Sequence, residues 1–319
     1  MMPRINNPEH QTPTIATTGT AEKLPITSEE LLHDAQMPPA GETQFVLLRN
    51  PSDHQNRDLK NENYGTLDEG AAEQARQLAY DYFSKALEKL TPDERDKVKV
   101  LVFASPSPLT EPGKEPGKNR RAVLGAASEI QGIGSALVEH GAPETNILNW
   151  TDGTTSGDQQ ETIFQPEGLK DLRILTESPD FVDFMIQKAR ENTKDNPNRN
   201  WSQEFWSSYE DDTYAKEREA MKAEGPIDIA DRMQWQLAMI NNSMQYVFDD
   251  EPSARLVVWV VGQYDNISPF IKEKVTGVGF DDFQPMKHNS GIAINVTADG
   301  QATTKIHGKA YSFEMPTTK

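Results

Sequence analysis

The sequence predicts an α/β domain with a three-layer α/β/α arrangement, a mostly parallel central sheet, a helical or irregular lid insertion and a C-terminal β-hairpin. Three observations point there. The apolar runs Phe45–Leu48, Val98–Ala104 and Leu256–Val261 have the length of buried strands, and each stops abruptly at polar or turn-forming residues. The stretches between them carry apolar residues at helical spacing. Near the C-terminus, Ile292–Val296 and Ala302–Ile306 alternate across Asp299-Gly300, a hairpin dipeptide. Strand–helix–strand order brings the carboxyl ends of parallel strands to one sheet edge, where open α/β sheets bind ligands.

In chain order, residues 1–40 are rich in Pro, Thr, Asn and Glu and read as a mostly disordered tail, with one helical turn at Ser28–Leu32. The domain then spans residues 41–319. After the first strand and a polar loop, Thr66-Leu67-Asp68-Glu69 matches a capping box. Ala75, Leu78, Ala79, Tyr82, Phe83 and Ala86 mark the apolar face of the helix that follows over 71–90, and Thr91-Pro92 stops it. The second strand ends at Ser105-Pro106. The Pro/Gly/Lys-rich segment 110–119 reads as a surface insertion. Arg120-Arg121-Ala122 opens a helix running toward His140, ended by Gly141-Ala142-Pro143, and Asn146–Leu148 suits a short strand. Residues 150–225 are polar and interrupted, with a loop at Thr151–Gln160, a helix near Asp180–Glu191 and an aromatic-acidic stretch from Trp201 to Met221. That segment is the candidate lid. A long helix is expected over Pro226–Phe248; the last buried strand ends at Gly262-Gln263-Tyr264-Asp265-Asn266, and a helix is expected to follow through Lys274.

Composition narrows the function. The chain has 319 residues, a net charge of -18 and a pI near 4.8. So acidic a surface repels nucleic acid and anionic membranes, yet a small anion can bind in a locally basic pocket. The absence of cysteine excludes disulfides, thiolate nucleophiles and Cys-ligated zinc. Met1–Lys23 lacks the apolar run of a secretory signal, and no stretch approaches the ~20 apolar residues of a membrane span. The expectation is a cytoplasmic protein without metal or cofactor. His10, His33, His140, His288 and His307 are scattered, with no metal-ligand spacing. Walker A and G-x-S-x-G motifs are absent, and Gly132-Ile133-Gly134 follows a helix and lacks a third glycine. The acidic runs Glu210-Asp211-Asp212 and Asp249-Asp250-Glu251 read as solvated faces or helix ends.

The strand ends offer Arg49-Asn50, Ser105 with Arg121 downstream, and Gly262-Gln263. Two arginines at one edge suit a phosphate, because the guanidinium fork matches its oxygens and stays charged. Taken singly, each arginine could equally be an ordinary surface or ion-pair residue. Four segments in order resemble the histidine phosphatase superfamily, the phosphoglycerate-mutase-like fold. Arg49-Asn50-Pro51-Ser52-Asp53-His54-Gln55-Asn56 stands at its R-H-G-x-[ST]-x-x-N, and Leu67–Ala75 is similar to its L-[ST]-x-x-G-x-x-Q-A, one residue shorter before the glycine. Ser105-Pro106 and then Arg121-Ala122 follow its S-[SP]-x-x-R-A, interrupted by the basic insertion. Val261-Gly262-Gln263-Tyr264-Asp265-Asn266-Ile267 follows its V-[ST]-H-G-x-x-I. The resemblance covers about Gln44 to Val275.

The resemblance implies phosphate contacts from Arg49, Asn56 and Arg121, and a leaving-group acid at Glu177 or another lid carboxylate. Glu177 can equally be an exposed glutamate. It also implies two reacting histidines, and both are replaced. Asn50 stands at the nucleophile position, and an amide nitrogen has no useful lone pair. Gln263 stands at the second, where it donates a hydrogen bond but brings no charge. Pro51 and Tyr264 replace glycines and crowd the pocket. Loss of a covalent nucleophile costs on the order of 10⁶ in turnover in the serine-protease case. The resemblance therefore implies a catalytically degenerate member that binds a phosphorylated small molecule, phosphate or a partner without turnover. Two alternatives stay open. One is an active phosphomonoesterase with a changed mechanism, using water with Glu177 or His54. The other is an interaction module working through the acidic lid and N-terminal tail.

Overall fold

The computed structural model describes residues 24–51, 67, 69–106, 121–148, 163–169, 178–194, 201–277 and 286–316. The first apolar run forms β1 (Thr43–Arg49), the second β2 (Val98–Ala104), and the strongest forms β4 (Arg255–Gly262). With β3 (Ile163–Phe164), β5 (Gly291–Val296), β6 (Gln301–Ile306) and β7 (Lys309–Glu314) they make a seven-stranded mixed sheet. Its order is β3-β2-β4-β1-β5-β6-β7. The strands from β3 to β1 run parallel, and β5, β6 and β7 are each antiparallel to the neighbour before them.

Side chains alternate across the sheet, so one strand feeds two cores. Phe45 and Leu47 join Val258, Val260, Met233, Leu237 and Phe270. Val46 and Leu48 join Val257, Trp259, Tyr82, Phe83, Ile133 and Leu137. That burial on both sides is why the parallel strands read as unbroken apolar runs.

The helices follow from the same patterns. The expected helix over 71–90 is α2 (Glu69–Leu87), while the capping threonine Thr66 lies outside the described residues. Thr91-Pro92 ends it by starting another. Thr91 accepts from the Glu94 backbone N–H and receives the Glu94 carboxylate on its own, a capping box for the short α3 (Pro92–Arg95). α4 (Arg121–Glu139) ends as expected at Gly141, which takes φ +77°, where a side chain would be strained. Ala142 N–H to Leu137 O and Gly141 N–H to Val138 O close a Schellman cap.

The structure departs from expectation in several places. The tail boundary is one: residues 24–40 pack on the domain, with Ile26, Leu31, Ala35 and Met37 buried. Thr27 caps α1 (Ser28–His33), and Ile26 bridges Met286. Four spaced apolar side chains sufficed to dock a segment whose composition reads as disordered. Asn146–Leu148 is not a strand; Glu144–Asn146 is a 3-10 turn, and Ile147 makes a single bridge to Val100. The short strand beside β2 is β3 instead.

Within residues 178–225, α5 (Pro179–Thr193) and α6 (Trp201–Glu210) form a satellite core of Phe181, Met185, Phe205 and Tyr209, joined by Ala223 and Ile229, while α7 (Ala215–Ala220) has no buried residue. The helix expected over Pro226–Phe248 breaks at Met244 into α8 (Pro226–Ser243) and α9 (Gln245–Asp250). After β4, α10 (Tyr264–Phe270) contains Pro269, whose missing N–H removes a helical bond, and the chain widens into a π turn over Ile271–Thr276. The expected hairpin is present as β5–β6, and β7 extends it beyond a second turn at His307-Gly308. Among the described residues no helix is long and apolar enough to cross a membrane.

Candidate functional site at the carboxyl edge of the sheet

The register sets three strand ends side by side. Arg49 pairs with Gly262 and Ala104 with Val261. The ladder runs one residue further on each side, Asn50 N–H to Gly262 O and Ser105 N–H to Val261 O, both at 2.8 Å. The stretches Arg49-Asn50, Ser105 and Gly262-Gln263 thus meet at one edge.

Arg49 is half-buried and engaged on three sides. Nη1 donates to the Met286 carbonyl, Nη2 lies 3.2 Å from His288 Nε2, and the guanidinium sits 5.0 Å from the centroid of the Tyr264 ring. His288 Nδ1 is 3.0 Å from the Asn50 carbonyl oxygen. A carbonyl only accepts and a guanidinium only donates, so the imidazole carries its proton on Nδ1 and accepts from Arg49 at Nε2. The loop before β5 is held here by backbone bonds from Arg49 N–H to Ser290 O and from Asn289 N–H to Arg49 O.

Asn50 is buried, and its Nδ2 donates to the Pro51 carbonyl at 3.2 Å. Gln263 is buried at the N-cap of α10 and makes no side-chain capping bond. Pro51 is buried against α4: a Cβ added to Gly125 would fall 2.7 Å from Pro51 Cδ and 3.6 Å from Val261 Cγ1. Arg121 opens α4 one turn before Gly125, on the same face of that helix, and is half-buried. Ser105 Oγ donates to the Leu169 carbonyl at 2.5 Å, which also receives Asn266 Nδ2 at 2.8 Å. Asn56, Glu177, His54 and the 110–119 insertion lie outside the described residues.

Behind the arginine lies a buried polar cluster. The Tyr264 hydroxyl faces the Glu210 carboxyl, and burial followed by that carboxyl raises the phenol's pKa far above its ordinary value. Ser268 Oγ donates to Glu210 Oε2 at 3.3 Å. Lys272 Nζ lies 3.4 Å from the same oxygen and 3.7 Å from Asp211 Oδ1. Burial pushes Glu210 up to about 7, against the opposing pull of Lys272. The acidic run expected to be a solvated face or helix end is indeed at the end of α6, but Glu210 is turned inward and Asp212 forms a bidentate pair with Arg218.

Two features of the site have no signal in the sequence. His288, 238 residues from Asn50, is one of the scattered histidines, and only the antiparallel pairing of β5 with β1 brings it in. Glu210 and Lys272 sit on elements with no motif connecting them. Chemically, the junction holds a cation, a neutral imidazole already accepting a hydrogen bond, and two amides. Among the described residues no group of His, Cys, Asp and Glu could hold a metal ion. No family model and no curated protein matches the chain.

Proposed function

We propose that the chain is a catalytically degenerate, histidine-phosphatase-like protein of three-layer α/β/α build, which binds at its sheet edge without turnover. The carrying observation is the pair of buried amides, Asn50 and Gln263, at the ends of β1 and β4. Neither can accept a phosphoryl group, and the Asn50 amide is turned onto its neighbour's carbonyl. Arg49 and Arg121 supply the positive charge for an oxyanion, and a phosphorylated small molecule or phosphate is the ligand class that suits them. The test is a phosphomonoester assay on the wild type and on Asn50→His/Gln263→His, alongside thermal melting with phosphate and vanadate. The expected result is no wild-type turnover and an upward melting shift that Arg121→Ala reduces. Wild-type hydrolysis abolished by Arg49→Ala would refute the proposal.

The second reading is a phosphomonoesterase with a changed mechanism, and one observation favours it. His288 places a neutral imidazole beside Arg49, its tautomer set by the Asn50 carbonyl. On that reading turnover exists and disappears in His288→Ala, while Asn50→Ala leaves it intact.

A further inference from the structure

Away from the sheet edge, α8 and α9 carry an unusual outer surface. Asp228, Asp231, Trp235, Met239, Tyr246 and Asp249 are all exposed. They are spaced by three, four, four, seven and three residues, which in an α-helix is one straight line. Met244, between the two helices, keeps φ -88° and ψ -3°, still in the right-handed region, and the two segments from Asp228 to Asp249 together contain about 30 Å of helix at ~1.5 Å per residue. Exposure is 47% for Trp235, 52% for Met239 and 44% for Tyr246. With Ile227, they make four of the eight large apolar side chains exposed among the described residues, so the exposure is concentrated here. Tryptophan, tyrosine and methionine are the side chains enriched at the centres of protein interfaces.

Charge selects the occupant. The apolar centre is bounded at one end by Asp228 and Asp231 and at the other by Asp249 and Asp250. Asp231 shares its charge with Lys274, and Asp228 lies 3.8 Å from Arg218, but both carboxylates stay more than half exposed. We infer that this face docks an amphipathic helix of a partner protein, apolar at its centre and bearing lysine or arginine at both ends. A second copy of the chain is disfavoured, since two-fold packing would set acidic ends against acidic ends. An anionic membrane meets the same repulsion. Residues 1–23 carry Arg4 and Lys23 against Glu9 and Glu22, which leaves no cationic excess to offer.

The experiment uses the full chain and two labelled synthetic helices of about eighteen residues. They share one apolar face, one ending in lysines and the other in glutamates, and binding is read by fluorescence anisotropy. The lysine-ended helix is expected to bind at least about tenfold more tightly, with an affinity that falls as salt rises. Trp235→Ser/Met239→Ser should weaken it about tenfold or more. Asp228→Asn/Asp249→Asn/Asp250→Asn should remove the preference for lysine ends. If the serine variant melts early, Met239→Lys gives the same test by placing a positive charge in the apolar centre. Equal binding of both helices, no binding, or binding indifferent to these changes overturns the proposal. So does a concentration-dependent dimer lost in the serine variant, which would make a second copy the occupant, or capture by anionic vesicles. None of these readouts involves phosphate, so this result and that of the anion-site test stand apart.

Discussion

The Arg49 guanidinium lies over the Tyr264 ring, 5.0 Å from its centroid, while the hydroxyl end of that ring faces Glu210. One tyrosine therefore links the end of β1 to the last residue of α6. It also covers one face of the guanidinium. Tyr264→Ala should lower stability by less than the about 3–5 kcal/mol of a fully buried aromatic, since the ring is only partly buried. On the proposed anion-binding reading it should also enlarge the upward melting shift expected with phosphate. Thermal denaturation with and without phosphate checks both; an unchanged shift would mean that the ring does not obstruct the cation.

Glu210 and Lys272 form a buried pair at 3.4 Å. Without Lys272, Glu210, already pushed up to about 7, takes up a proton, so Lys272→Met should cost less near neutral pH than the about 3–5 kcal/mol of a stranded buried charge, and more as pH rises. The loss should shrink on acidification, because Glu210 can then protonate. Glu210→Gln/Lys272→Met should recover most of it. Urea unfolding of the four proteins in the cycle measures the coupling.

Glu129 on α4 is buried and accepts from Trp259 Nε1 at 2.6 Å. Burial pushes its pKa from 4.5 up to about 8, the Trp259 bond opposing. In the unfolded chain the group releases its proton near the ordinary value. Between about 4.5 and about 8 the folded state therefore holds more protons, and stability must fall as pH rises. Glu210, raised to about 7, adds a fall of the same sign over the lower part of that window. Glu129→Gln keeps an acceptor for the indole and removes the titration. It should flatten the pH profile and raise stability at pH ~7.5 by several kcal/mol, since each tenfold change in proton affinity is worth ~1.4 kcal/mol. Chemical denaturation across that pH range reads the slope.

α2 and α4 pack at a glycine. A Cβ at Gly132 would fall on the Arg76 carbonyl oxygen, which is backbone and cannot rotate away. Gly132→Ala should therefore destabilise by about 1–3 kcal/mol despite the better helix propensity of alanine. Gly134→Ala is the control: its Cβ meets the Glu144 side chain at 3.0 Å, which can move. A smaller loss of melting temperature in Gly134→Ala than in Gly132→Ala is the expected order.

The strands were legible because parallel strands buried on both faces must be apolar throughout, and β1, β2 and β4 each read so. The hairpin at Asp299-Gly300 was legible because a tight turn demands particular residues. The C-terminus of α4 was legible for the same reason, in Gly141. The break at Met244 was not, since its flanks continue the helical period. Nor was the docking of residues 24–40, whose few apolar side chains have meaning only against the surface they meet.

What the sequence by itself determined is the α/β class and the chemistry carried to the strand ends, because apolar period and residue type are local properties. Which groups stand around Arg49 was decided by tertiary structure alone. His288, Tyr264 and Met286 reach it through the antiparallel addition of β5 and the turn after β4, and Glu210 meets Lys272 through the packing of α6 on the helix after β4. Those partners lie far apart along the chain, and no local pattern records a contact made only when the sheet closes.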